Sequence, residues 1–407
     1  LNFLGWVDHD GEHEQSILRA LGAAKGHDAR DELGLGTIRD SFADLFFPGL
    51  STIQERVRYF LFVQWCCEIA ARQGDAERIV EELRKTEVAL IKTLSLLGDG
   101  EGVIGIQSQE DLERMPSEIY WNGLSVLGMR RAPGGRLRWA RQISAASESA
   151  RKAVPSEDGG VGGPEIGFDM ARPAPPAGFP STKGLSFALG ADEATFLRNR
   201  LKNACVDPVG RGHEYNLFGP FSADRLKTSA GDAWDHPRVA QLRSATRDLL
   251  MLGAAFSRLM YGAVILYNVR VAGLMVADGN KLDVRDRHVA AFVTWRDRLA
   301  PADVDLVARR IDELPALGAI TRHSVDPHAV VFVRRWADRC RTPETLLTDE
   351  KAGSLVGDRE VFLKGASGTS RIKSRKARAR WRGESGSPLD YRWPVARGCL
   401  NDLAAAP

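Results

Sequence analysis

Between Lys364 and Arg382 the chain carries Lys364, Arg371, Lys373, Arg375, Lys376, Arg378, Arg380 and Arg382, with no acidic residue among 19 positions. The chemistry open to such a run is electrostatic. Guanidinium and ammonium groups neutralise phosphates and release the counterions condensed on a nucleic acid. On a helix, Arg371, Arg375, Arg378 and Arg382 would share one stripe by their i, i+3, i+4 spacing and could track a row of phosphates. Gly365, Ser367, Gly368, Thr369 and Ser370 come just before and could offer backbone and hydroxyl donors to an anion. Trp381 and Trp393 could offer stacking faces to unpaired bases. Two plainer readings stand beside this one. Arginine outnumbers lysine 44 to 12, so composition alone produces basic runs. The stripe would then be a solvated face, or a face turned toward the acidic N-terminal half or a protein partner.

A second anion-binding candidate is Thr52 with Arg56 and Arg58. Thr52 and Glu55 have capping-box spacing, which predicts a helix start whose free N–H groups attract phosphate. Cations so close to the start of a largely buried helix oppose its dipole unless an anion compensates. Asp31, Glu32, Asp40 and Asp44 are candidate internal partners, and internal pairing is preferred over a bound phosphate. A third cluster, Asp8, His9, Asp10, Glu12, His13 and Glu14, places two histidines four apart, as on a helix face that shares a metal. Spacing fixes no third ligand, so no metal or cofactor is assigned. Walker, Rossmann, zinc-protease, nucleophile-elbow and kinase signatures do not occur. Gly159-Gly160-Val161-Gly162-Gly163 lacks the following Lys-Ser/Thr, and His213-Glu214 has no partner motif.

These residues need elements to hold them. A chain of 407 residues, 43% hydrophobic, can bury two ordinary cores. Helical periodicity predicts a short helix over 10–22, a well-marked buried one over 57–71, and an amphipathic one over 75–97. Further helices are expected at 191–203, 287–299, 302–314 and 328–340. From Pro237 to Leu274 two apolar helices joined near Gly262 are expected, and Val269–Val276 is the one stretch where a strand competes. The expected class is mainly α, with two helical domains or lobes joined by a Pro/Gly-rich linker and few or no strands. The boundaries are 1–152, a linker at 153–184, 185–345, and a basic segment at 346–407.

Five cysteines show neither zinc nor disulfide spacing, and Cys66 and Cys67 read as buried thiols. From Val361 to Pro407 ten Lys/Arg face three acids, so this tail carries +7 of a net +3 and the remainder −4. The apolar runs around 249–256 and 260–267 are interrupted by Ser257, Arg258 and Asn268, so no membrane span is expected. The start has no basic n-region and runs into Asp8, Asp10 and Glu12, unlike a secretion signal, so a cytoplasmic location is expected.

Several local patterns together resemble an uncharacterised bacterial family, a domain of unknown function of the DUF6361 type. They are Gly5-Trp6-Val7-Asp8, the run from Arg30 to Asp40, Phe47-Pro48-Gly49, Ser51-Thr52-Ile53-Gln54, and Arg58 to Phe62. Ile119-Tyr120-Trp121, Tyr261-Gly262-Ala263, Leu266-Tyr267-Asn268, Gly383-Glu384-Ser385-Gly386 and Leu389 to Trp393 extend the likeness over essentially the whole chain. The resemblance brings no catalytic residue with it. It implies genes often found beside helicases and nucleases in phage-defence regions, with DNA or RNA, or a protein of a defence complex, as partner. The function expected is a non-catalytic accessory protein that binds nucleic acid or docks on a nucleic-acid-processing complex. The alternatives are a metal-dependent enzyme, such as a nuclease, built on the N-terminal acids and histidines, and a protein scaffold without nucleic-acid contact.

Overall fold

The structure, a computed structural model, describes residues 31–96, 101–152, 167–169, 171–279, 284–365 and 367–407. The helix expected over 10–22, the histidine and acid cluster at 8–14 and the glycines at 159–163 lie outside them. The described residues are helical: α1 (Gly36–Phe46), α2 (Tyr59–Ala71), α3 (Ala76–Ser95), α4 (Pro116–Val126), α5 (Arg136–Lys152), α6 (Ala191–Lys202), α7 (Phe218–Phe221), α8 (Ser244–Ala277), α9 (Arg285–Arg298), α10 (Pro301–Arg310), α11 (Leu314–Thr321), α12 (Pro327–Arg339), α13 (Glu350–Lys364), α14 (Arg375–Arg378) and α15 (Trp393–Ala404). No strand occurs among the described residues; Arg130 and Phe168 form an isolated bridge. Starts are marked by local chemistry. Asp75, Asp326 and Asp349 accept from the N–H two or three residues on, and Asp31 accepts from Leu35 and Gly36 at 2.7 Å each, which satisfies donors a helix start leaves open.

The chain divides into two compact units, each built from separated stretches. One unit comprises Phe47–Ala230 with Arg392–Pro407, the other Gly231–Tyr391 with residues 31–46. The described part of the Pro/Gly-rich segment belongs to the first unit. It is packed there through its aromatics and carbonyls: Phe168 meets Trp121 and Trp139, Phe179 lies 5.3 Å from Trp65, and the Pro173 carbonyl accepts from the Trp65 indole at 2.9 Å.

In the first unit α2 is buried on nearly every face, as its continuous apolar run requires. Tyr59 and Phe60 close on Tyr120 of α4 at centroid distances of 5.4 and 4.9 Å. Helix α3 packs against α2 and α5 and places Glu87 in the interior. There the Glu87 carboxyl accepts from the Ser117 N–H at 2.5 Å and the Ser117 hydroxyl at 3.0 Å. It thereby caps the start of α4, whose own N-cap residue, Met115, offers no side-chain acceptor. Burial raises its pKa to about 7, against the lowering effect of the Ser117 bonds and Arg136. Burial also holds the Cys66 and Cys67 thiols well above their ordinary value, so neither is a ready thiolate.

In the second unit α8 is the axis. It is one helix of 34 residues, not two helices joined near Gly262, and Val269–Val276 continues it instead of forming a strand. Helices α9, α10 and α13 pack along it, and α1 pairs with α11. By length and composition α8 could cross a membrane, yet 78% of its most apolar window is buried, and the same composition suits a core helix. Gly262 survives mid-helix because α9 needs the space. A Cβ there would lie 2.0 Å from Trp295. The indole cannot swing away without losing its 2.7 Å hydrogen bond to the Arg258 carbonyl.

Two stability predictions follow from these cores. Gly262→Ala should destabilise the second unit by about 2–3 kcal/mol in urea titrations, as overpacking does; a neutral effect would mean that α9 does not sit against α8 in this way. For Glu87 the folded pKa lies above the unfolded one. Its contribution is therefore complete below about pH 4.5 and is lost as the pH rises toward 7, on the order of 3 kcal/mol in all. Glu87→Gln should remove this dependence, gaining that much on wild type between pH 4.5 and 8. Parallel pH–stability curves for the two proteins would refute the assignment.

Candidate nucleic-acid interface

The basic segment is folded onto the second unit as a cross-tied loop. The single helix that would align Arg371, Arg375, Arg378 and Arg382 is not formed; only Arg375–Arg378 is helical. Two buried carboxylates tie down the start of the segment. Glu32, ahead of α1, accepts from both Lys364 Nζ and Arg371 Nη1. Glu360 of α13, with no exposed surface, accepts from the Ser370 hydroxyl and the Arg371 N–H at 2.6 Å each. It also accepts from the Tyr267 hydroxyl of α8 at 3.4 Å. Burial works against the charge on Arg371, but Glu32 and Tyr267 outweigh it, and the guanidinium is held above its ordinary pKa. A helix running from 371 to 382 would turn the Arg371 and Ile372 carbonyls to the N–H groups of Arg375 and Lys376, whereas here they accept from the Arg378 guanidinium.

Arg378 also turns inward. Its Nε donates to Asp278 at 2.8 Å, and Nη1 to the carbonyls of Arg371 and Ile372 at 2.8 and 3.0 Å. The Asp278 carboxyl is held below its ordinary pKa by the Arg378 hydrogen bond. Trp381 is 2% exposed and stacks on His288 of α9 with ring centroids 5.4 Å apart. Burial, and then Arg287, lower the pKa of that imidazole. Trp393 is fully buried in the first unit, where its indole donates to the Ala230 carbonyl at 3.0 Å. The stacking faces expected of both tryptophans are therefore occupied by the fold. Ser370 is buried on Glu360, and the exposed hydroxyls of Ser367 and Thr369 lie 2.6 Å apart, bonded to each other.

What remains outside is cationic. Lys373, Arg375, Lys376, Arg380 and Arg382 are all exposed. Arg375 donates to the Asp278 carbonyl at 2.6 Å; the other four make no salt bridge among the described residues. The structure thus brings five of the expected site residues to the surface of one loop and turns Arg371, Arg378 and Trp381 into its interior supports. By contrast, a cleft of about 760 Å³ between α12 and α13 is lined by both signs, Arg335, Arg339, Lys351 and Arg359 with Asp338, Glu350 and Asp358. Two of those cations are already paired, Arg339 with Asp349 and Arg359 with Asp326, so the cleft lacks the acid-free character of the loop.

The second candidate, Thr52 with Arg56 and Arg58, is placed differently from the expectation. Helix α2 begins at Tyr59, with Arg58 at its N-cap and no side-chain cap. Thr52 is exposed, in a turn ahead of it, so the capping box is not made. The turn is closed instead between Ser51 and Gln54: the Gln54 N–H donates to the Ser51 carbonyl, and Gln54 Oε1 accepts from the Ser51 N–H, at 3.2 Å each. Tyr120 holds the next residues, its hydroxyl accepting from the Glu55 N–H at 2.9 Å and donating to the Arg56 carbonyl at 3.0 Å. The arginines are paired internally, but not with the four acids expected. Arg56 forms a fork on Asp402 of α15 at 2.7 to 3.1 Å. Arg58 binds Glu193 at 2.7 Å and the Ser186 carbonyl at 2.6 Å. Asp402 and Glu193 stand far from Arg56 and Arg58 in sequence, so no local pattern pointed to them. Glu360 was legible in principle: it continues the buried stripe of Gly353 and Val356 on α13, and a carboxylate there requires donors.

Among the described residues no group of three or more His, Cys, Asp or Glu could hold a metal. The cysteines are free, four of them buried and Cys205 partly exposed. The features together define an all-helical chain that shows a cluster of cations on a folded loop. A family profile described as "Family of unknown function (DUF6361)" matches residues 1–407, and the chain belongs to that family. Comparisons with curated proteins and with solved structures give no match.

Thr52→Ala should leave stability within about 0.5 kcal/mol of wild type, because the hydroxyl caps nothing. Asp402→Ala should cost about 1–2 kcal/mol by stranding Arg56 and the Val57 N–H, a figure kept low because Arg56 is partly exposed. Chemical denaturation of both variants checks the pair; a larger loss for Thr52→Ala would restore the helix start to residue 52.

Proposed function

We propose that this protein is a non-catalytic accessory protein that binds nucleic acid, or docks on a nucleic-acid-processing complex, through Lys373, Arg375, Lys376, Arg380 and Arg382. The observation that carries this reading is the division of labour within one acid-free segment. Arg371 and Arg378 turn inward to carboxylates and carbonyls, while Lys373, Lys376, Arg380 and Arg382 are exposed within ten residues, beside an exposed Arg375 that is tied to the Asp278 carbonyl. Such side chains contact phosphates, which position a protein on nucleic acid without reading bases. With both tryptophans interior, no ring of the segment supports base stacking. The surface is therefore expected to take double- and single-stranded polymers with little regard to sequence.

Titration of the full chain against fluorescent double- and single-stranded DNA and RNA at several salt concentrations tests this. Five phosphate contacts should give a log–log salt slope of about −4 to −5 on duplex. Replacing all five cations with Ala should flatten that slope to near zero while leaving the melting temperature close to wild type. Absence of binding by the wild-type protein at low salt, or an unchanged slope in the variant, refutes the reading.

A further inference from the structure

We infer that Glu32 is a positioning residue for polyanion binding: its carboxylate, clamped on Lys364 and Arg371, holds the loop so that the five outward cations are displayed in advance. This deepens, and rests on, the function proposed above. From Ser367 to Arg382 the chain has one helical turn flanked by single turn bonds, Ser374 N–H to the Ser370 carbonyl and Trp381 N–H to the Arg378 carbonyl at 2.9 Å each, and side-chain ties fasten these turns to the rest of the unit. Three ties do so. Glu32 fixes the Arg371 side chain and the end of α13 at Lys364. Glu360 fixes the backbone at Ser370 and Arg371. Arg378 returns to the carbonyls of Arg371 and Ile372 and closes the loop on itself.

The Glu32 carboxylate is the tie whose removal gives opposite results under two hypotheses. It is 7% exposed and lies among the cations it organises. Counted as charge alone, Glu32→Gln takes a negative group out of a polyanion-binding surface and should tighten binding. Counted as a clamp, the same change removes the shared counter-charge and sets an amide N–H against one of the two cations, Lys364 or Arg371, which each use one carboxylate oxygen. The loop then has to be ordered when ligand binds, and affinity falls by about tenfold, the cost of fixing roughly one residue's backbone.

The experiment compares wild type, Glu32→Gln and Glu360→Gln as full chains in two assays: duplex DNA titration at fixed salt, and limited trypsin digestion with cleavage mapped at Lys373, Lys376 and Arg380. Circular dichroism melts verify that each variant is folded. Glu360→Gln gives a second, independent loosening should Glu32→Gln fail to fold. The expected result is weaker binding together with faster cleavage confined to 373–382. Equal or tighter binding with unchanged cleavage overturns the positioning role while leaving the nucleic-acid reading in place. No binding by wild type overturns both, and accelerated cleavage in the variant would then mark Glu32 as a structural tie alone.

Discussion

A guanidinium removed from water has to be met by a carboxylate or by carbonyl oxygens, because an uncompensated buried charge costs several kcal/mol. In an arginine-rich chain this requirement organises both units. Arg58 is met by Glu193 and Arg56 by Asp402 in one. In the other, Arg258 is met by Asp303, Arg371 by Glu32, Arg378 by Asp278, and Arg359 by Asp326 together with the carbonyls of Leu33 and Gly34. Each pair joins positions distant in sequence. Acids nearly match the cations in number, 53 to 56, so it is where each acid is placed that decides which cations are drawn inside.

The second organising constraint is steric. Helix α8 is long enough to seat α9, α10 and α13 because its small residues let large rings approach. Trp295 lies over Gly262, and Phe46 and Tyr391 lie over Gly253, whose carbonyl accepts the Tyr391 hydroxyl at 2.7 Å. Glycine costs a helix about 1 kcal/mol relative to Ala, a small sum beside the burial of an indole or a phenol ring. The same residue that suggests a break in the sequence is, in the folded unit, the site of closest contact.

This shows how far the sequence could be read. The helical class and most helix boundaries were legible, because an apolar stripe is a local pattern, marked at α3 and α12 by a capping Asp; α3, α6, α9 and α12 start and stop within two residues of expectation. Gly262 was misread because propensity was weighed without a neighbour that needs the gap. The grouping of the chain into units was also hidden, since residues 31–46 and 392–407 each join the unit assembled around remote stretches. For the basic segment, composition showed which residues carry charge. The direction each faces depends on Glu32 and Glu360, and no spacing rule within 364–382 contains either.

Turning the rings inward has a consequence for the kind of binding proposed. Stacking on aromatic rings lets a protein tell unpaired from paired strands, and hydrogen bonds to base edges tell one sequence from another. A loop that buries Trp381 against His288 and shows only Lys373, Arg375, Lys376, Arg380 and Arg382 keeps the salt-dependent part of affinity and gives up most of the discriminating part. Discrimination would then have to come from the shape of the nucleic acid or from another protein bound to it. That requirement favours an accessory that adds affinity to an assembly over a reader that acts alone.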